Sequence, residues 1–300
     1  MAELLQHIVD GIGLGSIYAL IALGYTMVFG ILQLVNFAHG DVYMLGAFAG
    51  YFAAKNFGLA EKPGVMSLVI GLACSMLACG AVGYLIERFA YKPMRKSPRI
   101  NVLITAIGIS LFLEFGGQIV FGADPKFFPT LFPSGQPWII SDVHINRLQL
   151  LVFVVSLFLM LGLNFIIQNT RPGLAMRAVS FNHDTAALMG VPVDRIISFT
   201  FVLGSMLAGA AGVLVGLTYP KIDPLMGVMF GLKAFVAAVV GGIGNVRGAV
   251  LGALIMGVAE SLVVGYVSST YRDALAFGIL ILILLFKPTG LLGTARMEKV

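Results

Sequence analysis

Charge is scarce in this 300-residue chain: 11% of its residues are charged, against 59% that are hydrophobic. A soluble domain carries about 25% charged and about 45–50% apolar residues, because polar surface must cover its core. The scarcity excludes an ordinary soluble protein and leaves one whose outer surface is apolar as well. A mean hydropathy of +0.97 agrees. Tryptophan occurs once, at Trp138, histidine four times and cysteine twice. Cys74 and Cys79 lie in one apolar run at a spacing that shares no helix face, with no His or acid beside them, so inert thiols are expected and not a metal or redox site. No phosphate-loop motif is present, nor even a Gly-Lys dipeptide. The glycine-rich strings at 11–16 and 241–248 follow no strand of a βαβ unit, so no nucleotide site is expected. The alternating ten-residue pattern of a membrane barrel is missing too. The N-terminus lacks a basic stretch, carries Glu3 and Asp10 and is followed by no small-residue cleavage site, so the first apolar run is expected to be a retained span.

What the chain has in abundance is long apolar runs and glycine, 37 of them. Crossing the hydrocarbon core takes about 20 mainly apolar residues. Such runs lie at 11–34, 40–57, 64–87, 101–121, 148–168, 196–217, 228–244, 248–267 and 273–288, which predicts an all-α polytopic transmembrane bundle of eight or nine spans forming a single domain over 1–300. Polar or glycine-rich breaks at 35–41 and 241–248 interrupt it, so discontinuous helices are expected.

Basic residues set the orientation. Residues 88–99 hold Arg88, Lys92, Arg95, Lys96 and Arg99 against no acid; 171–195 hold Arg171, Arg177 and Arg195; the tail holds Lys287, Arg296 and Lys299. With nine spans all three regions share one side, which the positive-inside rule makes cytoplasmic. The N-terminus then lies outside, as does the loop 122–147, where Lys126 and Arg147 are balanced by Asp124 and Asp142. Lys96 and Arg177 are expected inside and Ser134 outside. The net charge of +5 thus reflects loop placement and not a nucleic-acid surface.

The cytoplasmic segment 169–195 is too polar to span. Between Pro172 and Pro192 it predicts one or two short helices, with Asn182 or Asp184 as a cap and Gly190 as a stop. Leu174, Ala178, Phe181 and Thr185, then Ala186, Met189 and Gly190, form a small apolar face. Periodicity leaves two readings open: a docking element for another subunit, or a helix resting on lipid headgroups.

The segment GLAMRAVSFNHDTAALMGVPVDRI resembles the cytoplasmic loop of the Liv-type branched-chain amino-acid ABC permeases. Residues 15–48, 233–261 and LLFKPTGLLG at 284–293 resemble that family as well, in the same order. The resemblance implies an import permease of the bacterial inner membrane, without catalytic residues, cofactor or ATPase site of its own. Its implied partners are a second homologous permease, two ATP-binding-cassette ATPases and a periplasmic amino-acid-binding protein. Within the loop it implies contact with the ATPase through Gly173, Arg177, Ala178, Ala187 and Gly190. The same machinery serving another cargo, such as urea, short amides or other amino acids, is the nearest alternative. An ion-coupled secondary transporter and a channel-like or purely structural membrane subunit are the others.

The two breaks also resemble each other: Leu45-Gly46-Ala47 aligns with Leu251-Gly252-Ala253. Paired interrupted segments point to a transport path, since irregular backbone at membrane depth lines a cavity or is buried in protein. Candidate path residues are Asn36, His39 and Asp41 in the first break and Gly241, Gly242, Gly244 and Asn245 in the second; tight packing loops are the alternative. Both breaks fall on one side, which fits a parallel repeat better than an inverted one. Gly46 with Gly50, Gly248 with Gly252, and Gly204, Ala208 and Gly212 read as packing seams. Glu114, Lys233 and Glu260 are ionisable groups inside spans, either functional or paired structurally.

Overall fold

A computed structural model describes residues 2–95, 97–133, 135–140 and 143–293. Lys96, Ser134, Asp142, Arg296 and Lys299 lie outside the described residues. Twelve α-helices dominate them: α1 (Ala2–Leu32), α2 (His39–Asn56), α3 (Val65–Ile86), α4 (Lys92–Met94), α5 (Arg99–Phe121), α6 (Arg147–Asn169), α7 (Arg171–Phe181), α8 (His183–Leu188), α9 (Val193–Thr218), α10 (Met226–Gly241), α11 (Val246–Tyr266) and α12 (Arg272–Phe286). A π turn at Glu87–Tyr91 joins α3 to α4.

Among the described residues seven helices are long and apolar enough to cross a membrane, fewer than the eight or nine spans expected. Segments 40–57 and 228–244 make the difference. Each forms a helix, but His39, Asp41 and Lys55 dilute the apolarity of α2, and α10 has only 16 residues. The loop 122–147, read as irregular, holds short strands. β2 (Trp138–Ile140) and β3 (Val143–Ile145) form a hairpin, while β1 (Lys126–Phe127) pairs antiparallel with β4 (Lys221–Ile222).

Helices α1 and α9 are central, buried almost without interruption from Leu14 to Val28 and from Phe201 to Leu217. Peripheral helices turn large apolar side chains outward, among them Phe112, Ile119, Phe158 and Phe286. In water that surface would demand cover; in lipid it is the expected solvent-facing side. Between apolar helices in lipid, close packing drives association, and the predicted seams lie at crossings. A Cβ added to Gly46 of α2 would stand 2.6 Å from the Cα of Gly209 on α9. One on Gly15 of α1 would stand 2.8 Å from the Ala253 carbonyl oxygen on α11, and one on Gly252 would stand 2.5 Å from the Gly241 nitrogen.

The bundle has two ends. At one, His183 bonds the Ile31 carbonyl at 2.8 Å, Arg95 meets Asp194 at 2.6 Å, and Asn245 donates to the Leu292 carbonyl at 2.8 Å. Arg88, Lys92, Arg95, Arg171, Arg177 and Lys287 belong to this basic end. At the other end, Gln6 of α1 bonds the backbone of His144, Gly64 donates to Leu131 and Phe128 to Pro220. The first turn of α1 and the segment after α12 therefore lie at opposite ends, and both breaks open toward the basic one.

Candidate functional site

Chain reversal at the first break is forced by a left-handed residue, Gln33, at φ 55°. The polar residues that follow are buried. Asn36 accepts a 2.9 Å hydrogen bond from the Tyr91 hydroxyl, which joins this break to the π turn. His39 lies edge-on to the Tyr25 ring at 4.9 Å, with its Nε2 unpartnered, in space left by Gly24. Asp41 accepts from the Ser110 hydroxyl through Oδ2, while its buried Oδ1 has no hydrogen-bond partner. Asp41 and Ser110 line a cavity of about 220 Å³ with Tyr25, Phe37, Gly40 and apolar groups of α5 and α10. Ser110 is the midpoint of α5, so this cavity sits halfway through the bundle.

The second break sits elsewhere. Gly242 and Gly244 take φ of +106° and +96°, a region that side chains avoid and glycine enters freely. The turn they form receives the segment after α12: Leu291 and Leu292 donate to the carbonyls of Val240 and Gly241 at 2.8 and 2.9 Å. Asn245 has two tasks. Its Oδ1 caps α11 by accepting from the backbone of Arg247 and Gly248, and its Nδ2 holds Leu292. Gly241 packs against Gly248 of α11. Asn36, His39 and Asp41 are thus not in one site with Gly241, Gly242, Gly244 and Asn245. The breaks come together where Gln33 lines a cavity of about 670 Å³ with Gly244, Asn245 and Arg177 at the basic end.

Segment 169–195 forms two short helices, as its sequence predicts. Thr170 caps α7, Asn182 caps α8 through a 2.9 Å bond from the Thr185 nitrogen, and Gly190 at φ 80° ends the pair. Gly173, Met176, Val179 and Ala186 face the bundle. Gly173 is packed against the backbone at the end of α6. Leu174, Phe181, Leu188 and Met189 face away and are 62–88% exposed. Arg177, Ala178, Ala187 and Gly190 are exposed on the same surface, with Arg177 held to the Gln168 side chain at 2.9 Å.

Two ion clusters tie the helices together. At the basic end, fully buried Glu87 pairs with Arg95, and Asp194 is shared between Arg95 and Lys92, the latter at 2.8 Å. Toward the opposite end, Lys233 of α10 contacts Glu260 of α11 at 3.0 Å and Asp273 of α12 at 2.6 Å. Arg272 also pairs with Glu260, which accepts a 2.9 Å bond from Tyr18 as well. Removing Arg95 would leave the fully buried Glu87 without its cation, at a cost of about 3–5 kcal/mol for a buried pair. Of the intramembrane ionisable groups flagged from sequence, Lys233 and Glu260 are structurally paired, while Glu114 stands one turn beyond Ser110 on the side of Asp41.

Sequence reasoning missed Tyr18, Arg272 and Asp273 as members of that cluster, and Tyr91, Glu87 and Ser110 as partners of the first break and the basic end. Arg272-Asp273 at the mouth of an apolar run was an available signal. A lone serine inside a span carries none.

Residues 7–284 match the family model described as the branched-chain amino acid transport system permease component. The chain is 43% identical to the high-affinity branched-chain amino acid transport system permease protein BraD of Pseudomonas aeruginosa, over 99% of this chain and 98% of that protein. It is 42% identical to the permease protein LivH of Escherichia coli, over 99% and 97% respectively. A probable LivH permease of Methanocaldococcus jannaschii is 29% identical over 93% of this chain.

Proposed function

This chain belongs to the family of branched-chain amino acid transport system permease components, and from that premise we propose that it carries leucine, isoleucine and valine across the bacterial inner membrane as one permease subunit of an ATP-driven importer. It is a transport subunit and not itself an enzyme; hydrolysis belongs to separate subunits. The observation that carries the cargo is similarity at 42–43% identity along nearly the whole chain to permeases named for it.

In this reading the chain pairs with a second homologous permease, two ATPases engage the pair from the cytoplasm, and a periplasmic binding protein delivers the amino acid. The basic end of the bundle is cytoplasmic. The surface of α7 and α8 is the coupling element: a soluble partner needs an exposed apolar patch near the membrane, and Leu174, Phe181, Leu188 and Met189 supply one. Asn36, His39 and Asp41 belong to the path halfway through, and the turn at 241–245 to its cytoplasmic end. The same machinery with a different small solute is the competing reading; a ribose import permease of Haemophilus influenzae is 25% identical over 94% of this chain.

Co-purification with its partners, followed by reconstitution, tests the whole assignment. ATP together with a loaded binding protein should drive leucine uptake into vesicles, and an ion gradient without ATP should not. Uptake driven by the gradient alone would establish a secondary transporter instead. Orientation is checked separately. A cysteine replacing Arg177 should resist an impermeant thiol reagent in intact cells, while one replacing Gln136 in the 122–147 loop should react. The reverse pattern would invert the bundle.

A further inference from the structure

We propose that the mid-bundle cavity binds a free aliphatic amino acid, with Asp41 receiving its ammonium group. The inference rests on the transport reading and adds the chemistry by which the path recognises its cargo.

Asp41 is 1% exposed, and one of its carboxylate oxygens, Oδ1, is buried without a partner. A buried oxygen left empty costs free energy that a donor would recover. Oδ2 is already held by Ser110, which fixes the carboxylate and leaves Oδ1 as the open position. Glu114 adds a second negative charge from α5. Among the described residues the lining contains no Lys, Arg or His to balance either acid. An ammonium group supplies three donors and a positive charge, which answers both deficits. The remaining wall is aliphatic or aromatic: Phe37, Ile107, Leu111, Val228 and Leu232. At about 220 Å³ the cavity is smaller than the roughly 300–1,000 Å³ of sites for drug-sized ligands. It suits a single small amino acid. The wall opposite Asp41 includes Gly227 and Val228, in the first turn of the 16-residue α10. Gly40 and Gly227 let the two helix starts approach: a Cβ on Gly40 would stand 2.6 Å from the Gly227 carbonyl oxygen. A buried carboxylate oxygen awaiting donors, flanked by an apolar wall, matches the ammonium group and aliphatic side chain of the cargo.

The test uses the full transporter with its partner subunits in nanodiscs, without the binding protein. Radiolabelled leucine is displaced by unlabelled leucine or by 4-methylpentanoate, the same molecule without its ammonium group. Wild type should prefer leucine by about 10- to 100-fold, the worth of one hydrogen bond to a charged group. Asp41→Asn should shrink that preference to within about threefold. A preference kept in Asp41→Asn, or no leucine binding in wild type, overturns the proposal. Val228→Trp places an indole in the mouth from a partly exposed position and should abolish binding of both competitors; unchanged binding there also overturns it. ATP-driven leucine uptake by wild type is scored in parallel. A complex that transports leucine but fails these tests sinks the site alone, whereas absence of uptake sinks the transport reading.

Discussion

Ala187→Trp should lower binding-protein-stimulated ATP hydrolysis and leucine uptake together by at least about tenfold, equivalent to roughly 1.4 kcal/mol of lost coupling, while insertion and pairing with the second permease are kept. Ala187 is exposed on α8 beside Leu188 and Met189, so the indole meets no residue of its own bundle and acts only on what docks there. Arg177→Glu should produce the same joint loss by reversing a charge beside exposed Leu174 and Ala178. Both quantities are read on one reconstituted preparation. Wild-type hydrolysis and uptake in both variants would mean that α7 and α8 rest on the lipid surface and couple nothing.

Gly242→Leu should bring uptake to background in a protein that still inserts. At φ +106° a side chain is strained by about 1–3 kcal/mol. Its Cβ would also collide with the backbone of Gly293, and Gly290 packs on the same spot. The segment that donates through Leu291 and Leu292 would have to leave. Asn36→Leu should act through another route, leaving the buried Tyr91 hydroxyl without its acceptor and parting the first break from the π turn. Uptake and membrane-fraction yield are measured for both variants. Normal uptake in each would reduce the breaks to packing loops with no part in transport.

Features governed by local chemistry were legible in the sequence. The segment read as 40–57 is α2 at His39–Asn56, because the polar break before it and Gly58, at φ 59°, after it set its ends. Pro172 and Asn182 marked the starts of α7 and α8, and Gly190 their stop. The glycine seams were legible because a missing Cβ has little use inside an apolar helix other than close approach. The partner of Asp41 was not, since Ser110 lies 69 residues away and nothing local selects it among the serines. The separation of the two breaks was equally hidden. Their sequences align, but the second meets the segment after α12, and only tertiary pairing of Leu291 and Leu292 with α10 shows this. The span count slipped where length and polarity disagree: α10 is apolar but short, and α2 has the length but carries His39, Asp41 and Lys55.

The cluster joining α10, α11 and α12 contains two cations, Lys233 and Arg272, and two carboxylates, Glu260 and Asp273. Its formal charges cancel. A lone charge carried through the bilayer experiences electrical work of about 2.3 kcal/mol per 100 mV, so a helix bearing only Lys233 would be pushed by the membrane potential whenever it shifted. Bound as a quartet, these four side chains form an electrically silent unit. Whatever rearrangement opens and closes the path, the cluster adds no gating charge to it, and the voltage a living cell maintains neither helps nor hinders its motion.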